Sequence, residues 1–278
     1  MTKKNAKRKR RRMDEDVEHT LILVDMLGFA ALTERHRIRL VPYGPNEHGY
    51  TGTSTSPLQT QYNRFHRILE SCISEQRLSG GMQAMLYSDC AYLDAGNSVR
   101  SALIATELMR NFLRERVPVR MGIGRGTFYA FGFSIDVSDS TTVTRSLFAG
   151  TAVIHAHSAE RSSGKGMRIF VHPSLETERH LIERSVRMVP LPKPNDGARW
   201  ELNYLYKTRP AAQQPTADES DLELFEVVKS MKDPKANMKV RRQYIETHKA
   251  LNRMRRANSR KLVNIRQLKS TFTDLGSF

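Results

Sequence analysis

The order of apolar and amphipathic stretches predicts an α+β fold: a β-sheet with helices, in the order β-α-β-β-α-β-α-β, closed by a short helix and a hairpin. Three observations carry this reading. Thr20–Val24 (TLILV) is an apolar run of strand length that ends at an acid, Asp25. Met82–Leu93 alternates and turns around Ser88-Asp89-Cys90, which is a strand, a tight turn and a second strand. Between and after these, Tyr62, Phe65, Ile68, Leu69 and Ile73 recur at helical spacing, as do Leu103, Ile104, Leu108, Phe112 and Leu113. The first six elements match the ferredoxin-like βαββαβ arrangement, with one sheet and its helices on one face.

Taken in order, the strand Thr20–Val24 leads into a short helix, Ala30–Arg39. Residues 42–57 (PYGPNEHGYTGTSTSP) are rich in Gly, Pro, Ser and Thr and read as a long loop. The helix Leu58–Gln76, the hairpin 82–93 and the helix Ser98–Arg116 follow. Val117–Phe133 is a strand region punctuated by Gly122, Gly124, Gly126 and Gly132. Thr151–Ser162 is helical, Arg168–Val171 a strand and Pro173–Glu183 a short helix. Val186–Leu191 and Trp200–Tyr206 make the hairpin. These assignments divide the chain into a basic arm (1–18), a main domain (19–207), a polar Pro-containing linker (208–228) and a basic helical extension (229–278).

Charge is distributed unevenly. Of the net +16, residues 1–12 supply eight basic side chains and no acid, and residues 229–278 supply fourteen basic and three acidic ones. The middle of the chain is left at −3, so the domain is mildly acidic and the basicity belongs to the ends. Such ends bind polyanions with little sequence preference. Aromatics that stack on bases, Tyr244 and Phe272 among them, are sparse there, which argues against specific single-strand recognition. No window approaches the roughly 18 apolar residues of a membrane span, and no apolar segment follows the basic N-terminus as in a secretory signal. The two cysteines, Cys72 and Cys90, form neither a CxxC pair nor a zinc set. The expectation is a reduced, cytoplasmic protein without a membrane partner.

Two aspartates at strand ends are a common way to hold hard divalent cations on a nucleoside triphosphate. The plainer alternative is that Asp25 caps the next helix and Asp89 is a turn residue. The local sequences bear on that choice. Leu21–Phe29 (LILVDMLGF) resembles the first metal segment of class III adenylate and guanylate cyclases, and Tyr87–Leu93 (YSDCAYL) resembles their second metal hairpin. Val119–Gly126 (VRMGIGRG), Phe148–Glu160 (FAGTAVIHAHSAE) and Met167–Pro173 (MRIFVHP) resemble three further segments of the family, in family order.

The resemblance implies the class III catalytic fold with a C-terminal hairpin, here followed by the basic helical extension. It implies two divalent cations, Mn²⁺ or Mg²⁺, held by Asp25, Met26 and Asp89, with Asp25 and Asp89 catalytic. Phosphate oxygens would meet the backbone amides of Met26, Leu27, Gly28 and Phe29. It also implies a homodimer with active sites between protomers. The departures are informative. The family's ribose-binding Asn and transition-state Arg fall on Ile154 and Ser158; Arg161, one turn on, is the candidate replacement, against the alternative of a solvated helix-end arginine. The purine-reading positions fall on Met85 and Leu147, which offer no hydrogen bond to a purine edge. The chain therefore resembles the bacterial pyrimidine cyclases of antiphage systems, which make cyclic CMP or cyclic UMP for a separate effector protein. Tyr50 is a candidate contact to the base, and Lys193 falls where the family often places a phosphate-binding lysine.

Other signals carry less. Leu78–Gln83 (LSGGMQ) looks like an ABC-ATPase signature, but no GxxxxGK[ST] loop accompanies it. The histidines form no HxxxH or HExxH pattern. A second hypothesis stays open: a cyclase-like domain without catalysis that binds nucleic acid through its basic tails, favoured by Ile154 and Ser158.

Overall fold

The computed structural model describes residues 18–35, 41–42, 50–51, 56–76, 82–138, 141–162, 164–205, 217–231, 238–260 and 262. Strand β1 (Glu18–Met26) extends the apolar run at both ends and leads into helix α1 (Phe29–Arg35). The Gly/Pro-rich segment read as a loop contains a small antiparallel pair, β2 (Val41–Pro42) and β3 (Tyr50–Thr51). Helix α2 (Pro57–Gln76), strands β4 (Gln83–Leu86) and β5 (Cys90–Asp94), helix α3 (Ser98–Arg114) and strand β6 (Val119–Thr127) follow in the expected order. Next come β7 (Tyr129–Ser138), β8 (Thr141–Ala149), helix α4 (Thr151–Ser162) and β9 (Ile169–Val171). A 3₁₀ turn (Pro173–Glu178), α5 (Arg179–Glu183), β10 (Met188–Pro190), β11 (Trp200–Leu202), α6 (Ala217–Ser230) and α7 (Met238–Ala257) complete the described chain.

Seven strands form one sheet in the order β10-β11-β9-β6-β1-β5-β4. Every pairing is antiparallel except β6 with β9. The central four strands, β6-β1-β5-β4, carry the split βαβ topology predicted from the sequence. Because side chains alternate along a strand, β1 serves two layers. Ile22, Val24 and Met26 pack with Phe65, Ile68 and Leu69 of α2 and Ile104, Leu108 and Phe112 of α3. Leu21 and Leu23 face the other way, onto Ala152 and Ala156 of α4. The first two long helices thus share a face, as expected, while α4 covers the opposite one.

Glycines on β6 set the distance between α4 and the sheet. Gly122, Gly124 and Gly126 lie on one side of the strand. A Cβ at Gly122 would sit 2.1 Å from the Ala156 carbonyl oxygen, at Gly124 2.3 Å from the Ala156 nitrogen, and at Gly126 2.2 Å from Thr151 Oγ1. The helix backbone therefore rests directly on the strand backbone, which only residues without a side chain permit.

The basic C-terminal extension is anchored on the domain. Leu251 and Met254 are fully buried, and Arg255 is buried beside Phe225 of α6. Glu201 of β11, itself fully buried, accepts from Arg168 Nε at 2.6 Å and from Arg253 Nη2 at 2.9 Å. Asp221 of α6 pairs with Arg255 and Arg260, and Asn203 Nδ2 donates to the Met254 carbonyl at 3.1 Å. Part of the positive charge that looked available to polyanions is spent inside the fold.

Three sequence expectations need correction. Val117–Phe133 is two strands that part at Phe128, and the return strand β8 was not anticipated. Its residues (TTVTRSLFA) show neither an apolar run of strand length nor a regular alternation. The segment 208–228 is helical from Ala217, because Leu224, Phe225, Val227 and Val228 are buried. The basic helix ends at Ala257, and Leu262 beyond it is exposed. The arm up to residue 17 and the LSGGMQ segment up to residue 81 lie outside the described residues.

Replacing Gly124 by Ala is expected to lower stability by about 2 kcal/mol or more, as overpacking against backbone does. Urea denaturation of the variant checks this; an unchanged midpoint would show that α4 does not need the glycine contact.

Candidate active site

Asp25 is the penultimate residue of β1, at the end of a strand whose preceding residues are buried. It lies opposite Cys90 of β5 on one side and Arg120 of β6 on the other. Asp89 immediately precedes Cys90 in the β4–β5 turn, and its carbonyl accepts the Met26 N–H at 2.8 Å. This main-chain bond fixes the two aspartates at the same end of the sheet. Ser88 Oγ donates to Asp89 Oδ1 at 3.1 Å, and His66 Nε2 of α2 lies 3.4 Å from the Ser88 carbonyl oxygen.

Two further charged groups complete the cluster. Arg120 projects from the same side of β6 as the glycines, and its Nε donates to Glu160 Oε1 of α4 at 2.5 Å. Arg120 Nη1 donates to the Gly164 carbonyl at 3.1 Å. Glu160 is only 4% exposed and is hydrogen-bonded to Asp25. Burial pushes the Asp25 carboxyl up to about 7; the negative charges of Glu160 and Asp89 push the same way, and Arg120 opposes them. One guanidinium thus faces two inner carboxyls. It neutralises one, and the other holds a proton until near neutral pH.

That deficit of positive charge is what a hard divalent cation would correct. Among the described residues no three His, Cys, Asp or Glu side chains are grouped as a ready metal cage. Asp25 and Asp89 form a pair, which suits a cation that takes one or two carboxylates and completes its shell with phosphate oxygens and water. The same charges, after the dominant effect of burial, push the Cys90 thiol up to about 11.

The other expected site residues divide clearly. The Met26 side chain is buried in the core, so only its main chain can face the site. Its N–H is taken by Asp89, and the Leu27 N–H donates to the Pro118 carbonyl at 2.8 Å. The expected phosphate cradle of four amides is corrected accordingly: two are spent on holding strands together, which leaves Gly28 (φ +80°) and Phe29. Met85 packs with Cys90, Tyr92 and Phe148 against the Leu21–Leu23 cluster, whereas Leu147 points away and is 54% exposed. Ile154 (66% exposed) and Arg161 are outward on α4, with Ser158 between them partly covered. The Ser158 carbonyl oxygen faces Gly197 of the β10–β11 loop, where Lys193 is exposed. Arg161, Ser158 and Lys193 are not among the groups that act on Asp25. Tyr50 is in β3, and its side chain lies outside the described residues.

Sequence reasoning missed Arg120 and Glu160 as site residues, although both stand inside segments it singled out. The available signal was the alternation of β6: Arg120 is two residues before Gly122, hence on the face that α4 covers, where a charge requires a partner. It also missed the aromatic group in which Phe148 lies 5.0 Å from Tyr92 and 6.0 Å from Tyr87, centroid to centroid.

No protein-family model and no curated protein matches the chain. Several solved structures are similar to it. The non-canonical dimeric guanylyl cyclase domain of the RhoGC fusion protein from the aquatic fungus Blastocladiella emersonii aligns at 13% identity and TM-score 0.42, over 67% of this chain and 94% of that one. The adenylyl cyclase CyaB from P. aeruginosa aligns at 14% identity and TM-score 0.44, over 71% and 97%. An adenylate cyclase from Trypanosoma brucei in its monomeric state aligns at 15% identity and TM-score 0.43, over 70% and 92%.

The elevated Asp25 pKa has a definite sign. Below about 3.8, its ordinary value, Asp25 is protonated in folded and unfolded chains alike; between there and about 7 the folded chain binds the extra proton, so this group's contribution to stability falls as pH rises. Asp25→Asn should therefore raise the melting temperature in metal-free buffer at pH 8, with the gain shrinking toward pH 4. Thermal scans at both pH values test it, and an equal gain at each would contradict the assigned cause.

Proposed function

We propose that this chain is a metal-dependent nucleotidyl cyclase that converts a pyrimidine nucleoside triphosphate, UTP or CTP, into the 3′,5′-cyclic monophosphate and pyrophosphate. The observation that carries the proposal is the placement of Asp25 and Asp89 at one sheet end, held there by the Met26–Asp89 main-chain bond and short of positive charge. Their contexts, LILVDMLGF and YSDCAYL, are the two segments that resemble the class III metal sites.

Asp25 and Asp89 would hold two Mn²⁺ or Mg²⁺ ions, with the Met26 main chain beside them. When bound, the ions supply Lewis-acid stabilisation of the attacking 3′-oxygen and of the leaving pyrophosphate. The chain's own part is positioning. The β1 and β5 backbones fix the carboxylates, Arg120 holds Glu160 against Asp25, and the amides of Gly28 and Phe29 meet phosphate oxygens.

Ile154 and Arg161, exposed on α4 with the partly covered Ser158 between them, support a homodimeric site, since side chains open to the surface could complete a partner's. Exposed Tyr87, Tyr129 and Leu147 add apolar surface suited to the same contact. Arg161 would then steady the transition state across the interface, and Lys193 would approach the triphosphate.

Pyrimidine preference rests on the apolar wall of Met85, Tyr92 and Phe148, which carries no ammonium or carboxylate to read a purine edge. A product of this kind, read by a separate effector protein, fits a second-messenger role in antiphage defence. The alternative of a silent domain that binds nucleic acid finds support in Arg242, Lys249 and Arg256, which lie exposed along α7.

The full chain incubated with ATP, GTP, CTP or UTP and Mn²⁺ is expected to give a cyclic pyrimidine product by mass. Asp25→Ala and Asp89→Ala should each reduce the rate on the order of a hundredfold or more. A cyclic purine would keep the reaction and reject the base assignment. Absence of product from all four nucleotides, together with salt-sensitive nucleic-acid binding, would favour the second reading.

A further inference from the structure

The segment that follows α4 is held from outside the sheet by the C-terminal helix. The Gly166 N–H donates to Gln243 Oε1 of α7 at 2.5 Å, and the Met167 N–H donates to Thr247 Oγ1 at 2.9 Å. On its far side Met167 is fixed through its carbonyl, which accepts from Tyr204 Oη at 2.9 Å. Gly166 has φ +99°, and a Cβ there would sit 2.7 Å from the Thr247 nitrogen, so the two backbones are in direct contact. Thr247 is fully buried. Two residues before Gly166, the Gly164 carbonyl accepts from Arg120 Nη1, and Arg120 Nε in turn holds Glu160, which is hydrogen-bonded to Asp25.

These contacts form a continuous path from α7 to the candidate site. A guanidinium is a rigid planar fork, so fixing the acceptor of Nη1 restricts where Nε can point. A carbonyl that moves away from Arg120 loosens the orientation of the Glu160 carboxylate and hence of Asp25. The bonds at Gly166 and Met167 have no substitute on the sheet side, because both amides point at α7.

We propose that Gln243 and Thr247 are positioning residues for the Asp25 site: they clamp residues 164–167, and through Gly164 and Arg120 they hold Glu160 against Asp25. The inference rests on the catalytic reading of Asp25 for its consequence on rate, but the clamp itself is a property of the free protein. The C-terminal extension is on this account part of the catalytic apparatus, although it lies outside the main sheet.

Thr247→Val keeps the shape of the side chain and removes the acceptor, while Thr247→Ser keeps the hydroxyl. Ile245→Ala, on the exposed side of the same helix, is the control. In the full-length free protein, hydrogen exchange is read at the Gly166 and Met167 amides and at the Arg120 Nε–H. The Val variant should exchange faster at all three positions, and the Ser and Ile245 variants should match the wild type. Turnover with Mn²⁺ and the best nucleoside triphosphate, measured well below each melting temperature, should show kcat reduced on the order of tenfold in the Val variant, with KM little changed and Ser restoring the rate. Faster exchange confined to Gly166 and Met167, with Arg120 unaffected, overturns the proposal, as does unchanged kcat in an active enzyme. If exchange changes at all three positions but wild-type protein turns over no nucleotide, the clamp stands and the cyclase reading falls.

Discussion

The contact between α4 and β6 is the constraint on which the rest of the site depends. A helix normally stands off a sheet by the thickness of two side-chain layers, and polar groups at such an interface are separated by apolar filling. Here the glycines at 122, 124 and 126 remove one layer, and Ala152 and Ala156 thin the other. The helix is thereby drawn close enough for Glu160 to reach both Arg120 and Asp25. A side chain on β6 at any of the three positions would lift α4 and separate the carboxyls, whatever happened to the aspartates themselves.

Burial gives the charges of the cluster their effect. Arg120 and Glu160 are both largely removed from water, and their pairing is what makes that tolerable. Asp25 shares that one guanidinium, and burial first, then the charges of Glu160 and Asp89, raise its affinity for a proton. The Glu201 pairing with Arg168 and Arg253 is the contrasting case. There one carboxylate has two guanidiniums, no negative charge is left without a partner, and the arrangement serves to anchor α7. Asp25 and Glu201, carboxylates of the same sheet, thus differ in the number of cations that face them.

The central topology was readable because its elements are strongly patterned. The run TLILV, the alternation of 82–93 and the helical spacing of 58–76 and 98–116 each point to one structure. Asp25 and Asp89 were readable for the same reason, since each interrupts or ends such a pattern. Strand β8 was not, because TTVTRSLFA has no regular alternation of apolar and polar residues. The helical part of the segment taken for a linker was hidden by the polar residues that precede it, while its buried side chains come later in the helix. Arg120 and Glu160 escaped because their meaning lies in tertiary distance. The amides of Met26 and Leu27 show the converse error: sequence marks where donors are, but not which have already been used by neighbouring strands.

The outward stripe of α4 has a consequence for how such a protein can change over time. Ile154 and Arg161 contribute little to the interior, so substitutions there leave the folding equilibrium almost untouched. The neighbouring inward positions, Ala156 and Glu160, admit few replacements. Variation is thereby channelled into one line of exposed side chains. New preferences can be sampled there by drift, without first acquiring a reserve of stability.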